Sequence, residues 1–99
     1  MRSVNLLFEE EYDDVDIISV PDEIADNIDD VAQLFFKWLW IPENRQHFYV
    51  TLPDGKEALG IDTKEFLWWL NHVFLSSGKK AEIILQHTKY QPEYPTAYF

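Results

Sequence analysis

Ile24, Ile28, Val31, Phe35 and Trp38 recur at steps of four, three, four and three. That spacing follows the helical turn and gathers all five on one face of a helix. Asp26, Asp29, Asp30, Gln33 and Lys37 fall on the other face. Pro21 stands where a helix begins, since its missing N–H has no helical partner there, and Ser19 and Asp22 have the spacing of a capping box. Asp22 and Glu23 suit the positive end of the helix dipole. Pro42 stops the helix, because the residue before a proline avoids helical angles. A helix with so apolar a face needs a surface to lie on, and the flanking segments read as strands.

Val4, Leu6 and Phe8 alternate with Ser3, Asn5 and Leu7, and Val15, Ile17, Ile18 and Val20 resume strand character after an acidic stretch. Asp13-Asp14 reads as a turn. One long bent strand and two strands joined at the acids both fit this pattern. His47 to Leu52 and Lys56 to Ile61 read as a hairpin around Pro53-Asp54-Gly55, where proline presets one turn angle and glycine accepts a positive φ. Asp62 and Glu65 form a second capping-box pattern ahead of Phe66, Leu70, Val73 and Phe74, the expected inner face of a second helix. Gly78 fits its C-terminal cap, with Lys79 and Lys80 near the negative end. Ala81, Ile83 and Leu85 alternate as a last strand. The order predicts a single α+β domain over residues 1–99, ferredoxin-like β-α-β-β-α-β, with an antiparallel sheet and two helices on one of its faces. The other face is expected to be at least partly open. The tail 90–99, with Pro92, Pro95 and four aromatics, is expected to run extended along the body or on a partner.

With 46% hydrophobic and 16% aromatic residues, the 99-residue chain is too apolar for a disordered acidic segment. It has no cysteine, which excludes disulfides and thiolate chemistry. The most apolar run, Val31 to Ile41, is interrupted by Gln33 and Lys37 and falls far short of the roughly 20 residues a spanning helix needs. No signal peptide is visible, and a cytoplasmic protein is expected.

The charge is lopsided. Residues 1–30 hold eleven acids against Arg2, a net of −10, whereas the seven acids and seven bases of residues 31–99 cancel. A field of this sign attracts cationic partners and repels nucleic acid. The candidate partner-binding acids are Glu9, Glu10, Glu11, Asp13 and Asp14 on the irregular segment 9–16, and Asp26, Asp29 and Asp30 on the helix face. The competing explanation is a solvated coat that keeps a small domain soluble. On the second helix Trp68, His72 and Leu75 share a stripe away from the expected core, and Trp40 and Phe36 pose the same question at the end of the first. Such exposed aromatics suit a binding hot spot, unless the tail or a second copy of the chain in a homodimer covers them.

Other chemistries find little support. The acids of residues 9–16 are contiguous and lack the glycine a calcium loop uses. His47, His72 and His87 have no metal-ligand spacing, although His47 and His87 both fall at strand positions. No glycine-rich phosphate loop or nucleophile elbow occurs. Arg2 and Arg45 lack the glycine-bearing loop that small phosphatases of this element order need. No enzyme activity, metal or cofactor is expected.

The segments Phe66-Leu67-Trp68-Trp69-Leu70-Asn71 and Tyr94-Pro95-Thr96-Ala97-Tyr98-Phe99, with the acidity and small size, resemble bacterial immunity proteins, including those of contact-dependent growth inhibition systems. The resemblance implies tight binding to one toxin domain, usually a basic nuclease, blocking its active site or substrate groove. From the chain's own acidity and lack of a spanning segment, no nucleic-acid or membrane partner is expected. A nucleic-acid-mimicking inhibitor from a phage or mobile element, and a small ligand-binding regulatory domain, are the alternatives.

Overall fold

The computed structural model describes residues 1–8, 12–75 and 80–99. Glu9, Glu10, Glu11, Gly78 and Lys79 therefore lie outside the described residues. The amino-terminal segment is two strands. β1 (Arg2–Leu7) and β2 (Val15–Val20) pair antiparallel, with Val4 opposite Ile18 and Arg2 opposite Val20.

Two helical pieces follow, α1 (Asp22–Ala25) and α2 (Ile28–Leu39). The single helix predicted from the spacing breaks at Asn27, whose φ of −127° leaves the helical range. Its side-chain amide donates to the Glu23 carbonyl at 3.2 Å, offering that carbonyl a partner outside the helical ladder. The Ser19 capping box is not made. Ser19 belongs to β2, and Pro21 occupies the cap position without a side-chain bond.

A short helix α3 (Pro42–Arg45) and a 3-10 turn (Gln46–Phe48) lead into the hairpin β3 (Tyr49–Thr51) and β4 (Glu57–Leu59). Gly55 has φ +83°, as the turn signal required. Asp54 closes the turn by accepting the Lys56 N–H at 3.0 Å.

Helix α4 (Thr63–Trp69) runs into a π turn over Leu70–Phe74. The wider turn shifts the side-chain phase. Phe66, Trp69 and Leu70 are buried, while Val73 and Phe74, predicted to face inward, are exposed. Asn71 clamps the chain's return: it donates to the Ala81 carbonyl at 3.1 Å and accepts the Ala81 N–H at 2.8 Å.

β5 (Glu82–Thr88) pairs antiparallel with β2, and β6 (Thr96–Tyr98) pairs parallel with β1. The sheet order is β5-β2-β1-β6. This corrects the ferredoxin-like expectation in two respects. The sheet is mixed, and the 49–59 hairpin forms a separate two-stranded sheet. The added strands are the second amino-terminal strand and the tail strand, which pair with β1 on its two sides, while β3 and β4 pair only with each other.

β1 is central and buried on both faces. On one face Val4 and Leu6, with Ile18 and Val20 of β2, pack under α2 and α4, joining Val31, Phe35, Phe66 and Trp69. Phe35 is the hub, with ring centroids of Phe66 and Trp69 both at 5.4 Å. On the other face Leu7, Val15 and Ile17 lie beneath Tyr90 and Tyr94, so the tail covers part of the face expected to be open. Asn5 is fully buried there. Its amide nitrogen lies 2.8 Å from the Gln91 carbonyl and 3.2 Å from Thr96 Oγ1, and its oxygen accepts the Gln91 N–H at 3.2 Å.

Phe35→Ala is expected to cost about 3–5 kcal/mol in urea unfolding, the range for a truncated core phenylalanine. Asn5→Ala is expected to cost about 1–3 kcal/mol, because it strips partners from part-buried polar groups of the tail. Hydrogen exchange would locate that loss: the amides of residues 96–99 should exchange faster, while those of α2 keep their protection order.

Candidate functional site

Phe8 follows β1 on the helix-covered face, and its ring stacks on Phe99 at 4.7 Å. Phe36 of α2 meets Phe99 edge-on at 5.6 Å. These rings, with Asp14 and Asp16 from the start of β2, Ile61 and Asp62 ahead of α4, and Gln86 and His87 of β5, line a cleft of about 470 Å³.

Asp16 sits in strand alternation with Ile18 and Val20, which turns it toward the helices. It is only 8% exposed. Such burial of a carboxylate requires donors. The hydroxyl of Thr63, the first residue of α4, donates to one carboxylate oxygen, and the His87 N–H donates to the other at 3.1 Å. One carboxylate thus links β2, β5 and α4. β5 bends to reach it: its register with β2 shifts twice, and His87 takes φ +55°, uncommon outside glycine.

The His87 ring, exposed at the rim, contacts Asp14 through Nδ1 at 2.7 Å. The hydrogen bond and the charge of Asp14 raise the His87 pKa above the ordinary histidine value, with smaller contributions from Asp16 and Asp62. Asp62 occupies the cap position of α4 with extended backbone, yet its side chain makes no capping hydrogen bond. Its carboxylate lines the cleft instead.

The helix-face acids lie elsewhere. Asp26, Asp29 and Asp30 border a groove of about 160 Å³ with Pro95 and Thr96. Asp26 pairs with Arg2, and Asp29 accepts the Tyr98 N–H at 3.0 Å, so both also have structural work. Asp13 lies in the exposed turn before β2. The structure therefore separates Asp14 from Asp26, Asp29 and Asp30, and adds Asp16 and Asp62 to the first group. The strand β6 borders both sites, Thr96 at the groove, with Phe99 beyond it at the cleft; three residues of extended chain span about 10 Å.

The aromatic stripe of the second helix is largely covered by the chain itself. Trp68 is half-buried, with His47 at 5.0 Å, Phe48 at 5.6 Å and Trp38 at 6.2 Å. His72 stacks on Trp68 at 4.9 Å and donates from Nδ1 to its carbonyl at 2.8 Å, while Leu75 packs against the core. His47 thus belongs to this cluster and does not neighbour His87 in a sheet. Trp40 is the outlier at 81% exposed, beside exposed Ile41. A second apolar surface lies along β5, which has β2 on one side only and exposes Ile84 at 51% and Leu85 at 53%.

Asp16, Asp62 and His87 are the residues the sequence reading passed over as a site. One signal was available for Asp16, an acid in register with buried strand positions. Chemically, the cleft sets three carboxylates and one histidine beside three phenyl rings. Among the described residues no group of three or more His, Cys, Asp or Glu side chains is placed to hold a metal ion. No helix among them is long and apolar enough to cross a membrane. Set against protein-family models, curated proteins and solved structures, the chain matches none.

Because the fold favours protonated His87, this pair adds stability below the ordinary histidine range and loses it as pH rises through the raised value. In a proton NMR titration of the imidazole signals, His87 should titrate above about 6.5. Asp14→Asn should bring it down toward that figure.

Proposed function

We propose that the chain is a binding protein, and not an enzyme, that captures a basic protein partner. The observation that carries this reading is the placement of two acid-lined recesses along one carboxy-terminal strand, in a chain of net charge −10. Clefts walled by one sign of charge focus the field and steer cationic partners. Among the described residues only three ion pairs occur, so most of the described acids have no cationic partner among those residues.

Charge of this kind governs encounter and specificity more than affinity. Affinity needs buried apolar anchors, and Trp40, Ile41 and the β5 residues Ile83, Ile84 and Leu85 supply exposed candidates. A second copy of the chain is the rival occupant of the β5 edge. The same charge opposes nucleic acid and anionic membrane surfaces.

Within this class we favour an immunity protein that neutralises a toxin domain, a basic nuclease, in the cytoplasm. That step rests on the resemblance of the 66–71 and 94–99 segments together with the acidity. A ferredoxin-like relationship adds nothing to it, since the hairpin stands apart from the main sheet.

The test is surface-immobilised chain against basic nuclease domains, beginning with any toxin encoded beside its gene. One domain should bind selectively. Its association rate should fall at least about tenfold as sodium chloride rises from about 20 mM to about 500 mM, with a smaller change in dissociation. Equal association at both salts would remove the steering role, and weak binding to every basic domain alike would remove the specific-inhibitor reading.

A further inference from the structure

We propose that the cleft formed by Phe8, Phe36, Phe99 and the carboxylates of Asp14, Asp16 and Asp62 receives an arginine side chain presented by the partner. This rests on the reading that the partner is a basic protein. The volume of about 470 Å³ lies within the range of ligand-binding clefts.

The acceptors are present and not exhausted. A carboxylate offers about four lone-pair sites. Asp16 uses two of them, on Thr63 and on the His87 N–H, and Asp14 uses one on the His87 ring. Asp62 is the telling residue. An aspartate at a helix cap ordinarily accepts a backbone N–H of the first turn. Here that bond is not made, and the carboxylate lines the cleft. None of the described lining residues is a lysine or arginine, so among them His87 in its protonated form is the only cation.

The rings decide the kind of cation. Phenyl faces and Ile61 offer a metal ion no ligand, and a guanidinium stacks on such faces while spreading five donors in a plane. An ammonium is compact and strongly hydrated, and would have to shed water against the apolar walls. Carboxylates from two separate segments, Asp14 and Asp16 at the start of β2 and Asp62 ahead of α4, beside aromatic rings match the fork of an arginine better than the point charge of a lysine.

The test uses the whole chain, ¹⁵N-labelled, titrated with three blocked pentapeptides that carry arginine, lysine or citrulline between glycines. The arginine peptide should move the amides of Asp14, Asp16, Asp62, Thr63 and His87 at millimolar concentration. Lysine should bind at least about threefold more weakly. Citrulline, isosteric but uncharged, should move none of them. Asp62→Asn should weaken the arginine peptide at least about fivefold without lowering the melting temperature, because the Asp62 side chain makes no capping bond and asparagine suits the same cap position. Equal shifts from citrulline, shifts confined to Asp26, Asp29 and Asp30, or full affinity in Asp62→Asn would each overturn the proposal. Against a captured basic domain, the double variant Asp14→Asn/Asp62→Asn should lose at least about tenfold in affinity. Unchanged affinity there, with association still salt-sensitive, overturns the arginine cleft alone. Salt-insensitive association of the unaltered chain overturns the basic-partner reading, and the cleft's role with it.

Discussion

A fully buried amide in the middle of β1 holds the carboxy-terminal segment to the sheet. Asn5 bonds Gln91 through both its nitrogen and its oxygen and reaches Thr96 as well. A buried amide must find such partners, and here they come from a segment some ninety residues away. The consequence is larger than the bonds themselves. With residues 91–96 fixed, β6 lies parallel to β1, Tyr90 and Tyr94 cover Leu7, Val15 and Ile17, and Phe99 arrives beside Phe8. Each acid-lined recess takes one wall from this segment.

The acids divide by what they do for the fold. Asp29 holds the Tyr98 amide and Asp16 ties three elements together, so each has a structural role beside its charge. Asp62 does the reverse. It sits where an aspartate ordinarily stabilises a helix start, and its side chain is spent on the cleft. Repulsion among like charges destabilises a compact state, so a carboxylate placed in a negative cleft without a capping bond is a cost of the fold. His87, in a backbone conformation few non-glycine residues adopt, stands at the same spot. Strain and unspent polar groups gather at sites that act on something else.

Much of the architecture is readable from local pattern. The face formed by Ile24, Ile28, Val31 and Phe35 is buried as its spacing requires, and Pro53-Asp54-Gly55 turns the hairpin with Gly55 at positive φ. The α+β class follows from alternating and helical periodicities. What local pattern misses is pairing over long distance. Nothing around Pro95-Thr96 signals a strand parallel to β1, because the backbone partners of Thr96, Ala97 and Tyr98 are Asn5, Leu6 and Leu7 at the other end of the chain. The π turn escapes for a related reason: Phe66, Leu70, Val73 and Phe74 fit an ordinary helix, and the widened turn at Leu70–Phe74 shifts their phase. The cleft was illegible because its members come from six segments. Asp62 read as a cap and His87 as a strand residue, and both readings are locally reasonable.

The parallel pairing of β6 with β1 also has a kinetic side. Asn5 and Thr96 meet across nearly the whole chain, and closing so long a loop is entropically costly before any contact repays it. Of the helix-packed core of β1, β2, α2 and α4, only Ala97 and the partly buried Phe99 come from the tail, and most of the rest is shorter in range. Docking of the tail is therefore the natural last event of folding. During synthesis, a chain emerging from the ribosome carries its acids long before it has a cleft. The charge is present first, and the walls that Pro95, Thr96 and Phe99 give the two recesses arrive only when residues 94–99 settle against the sheet.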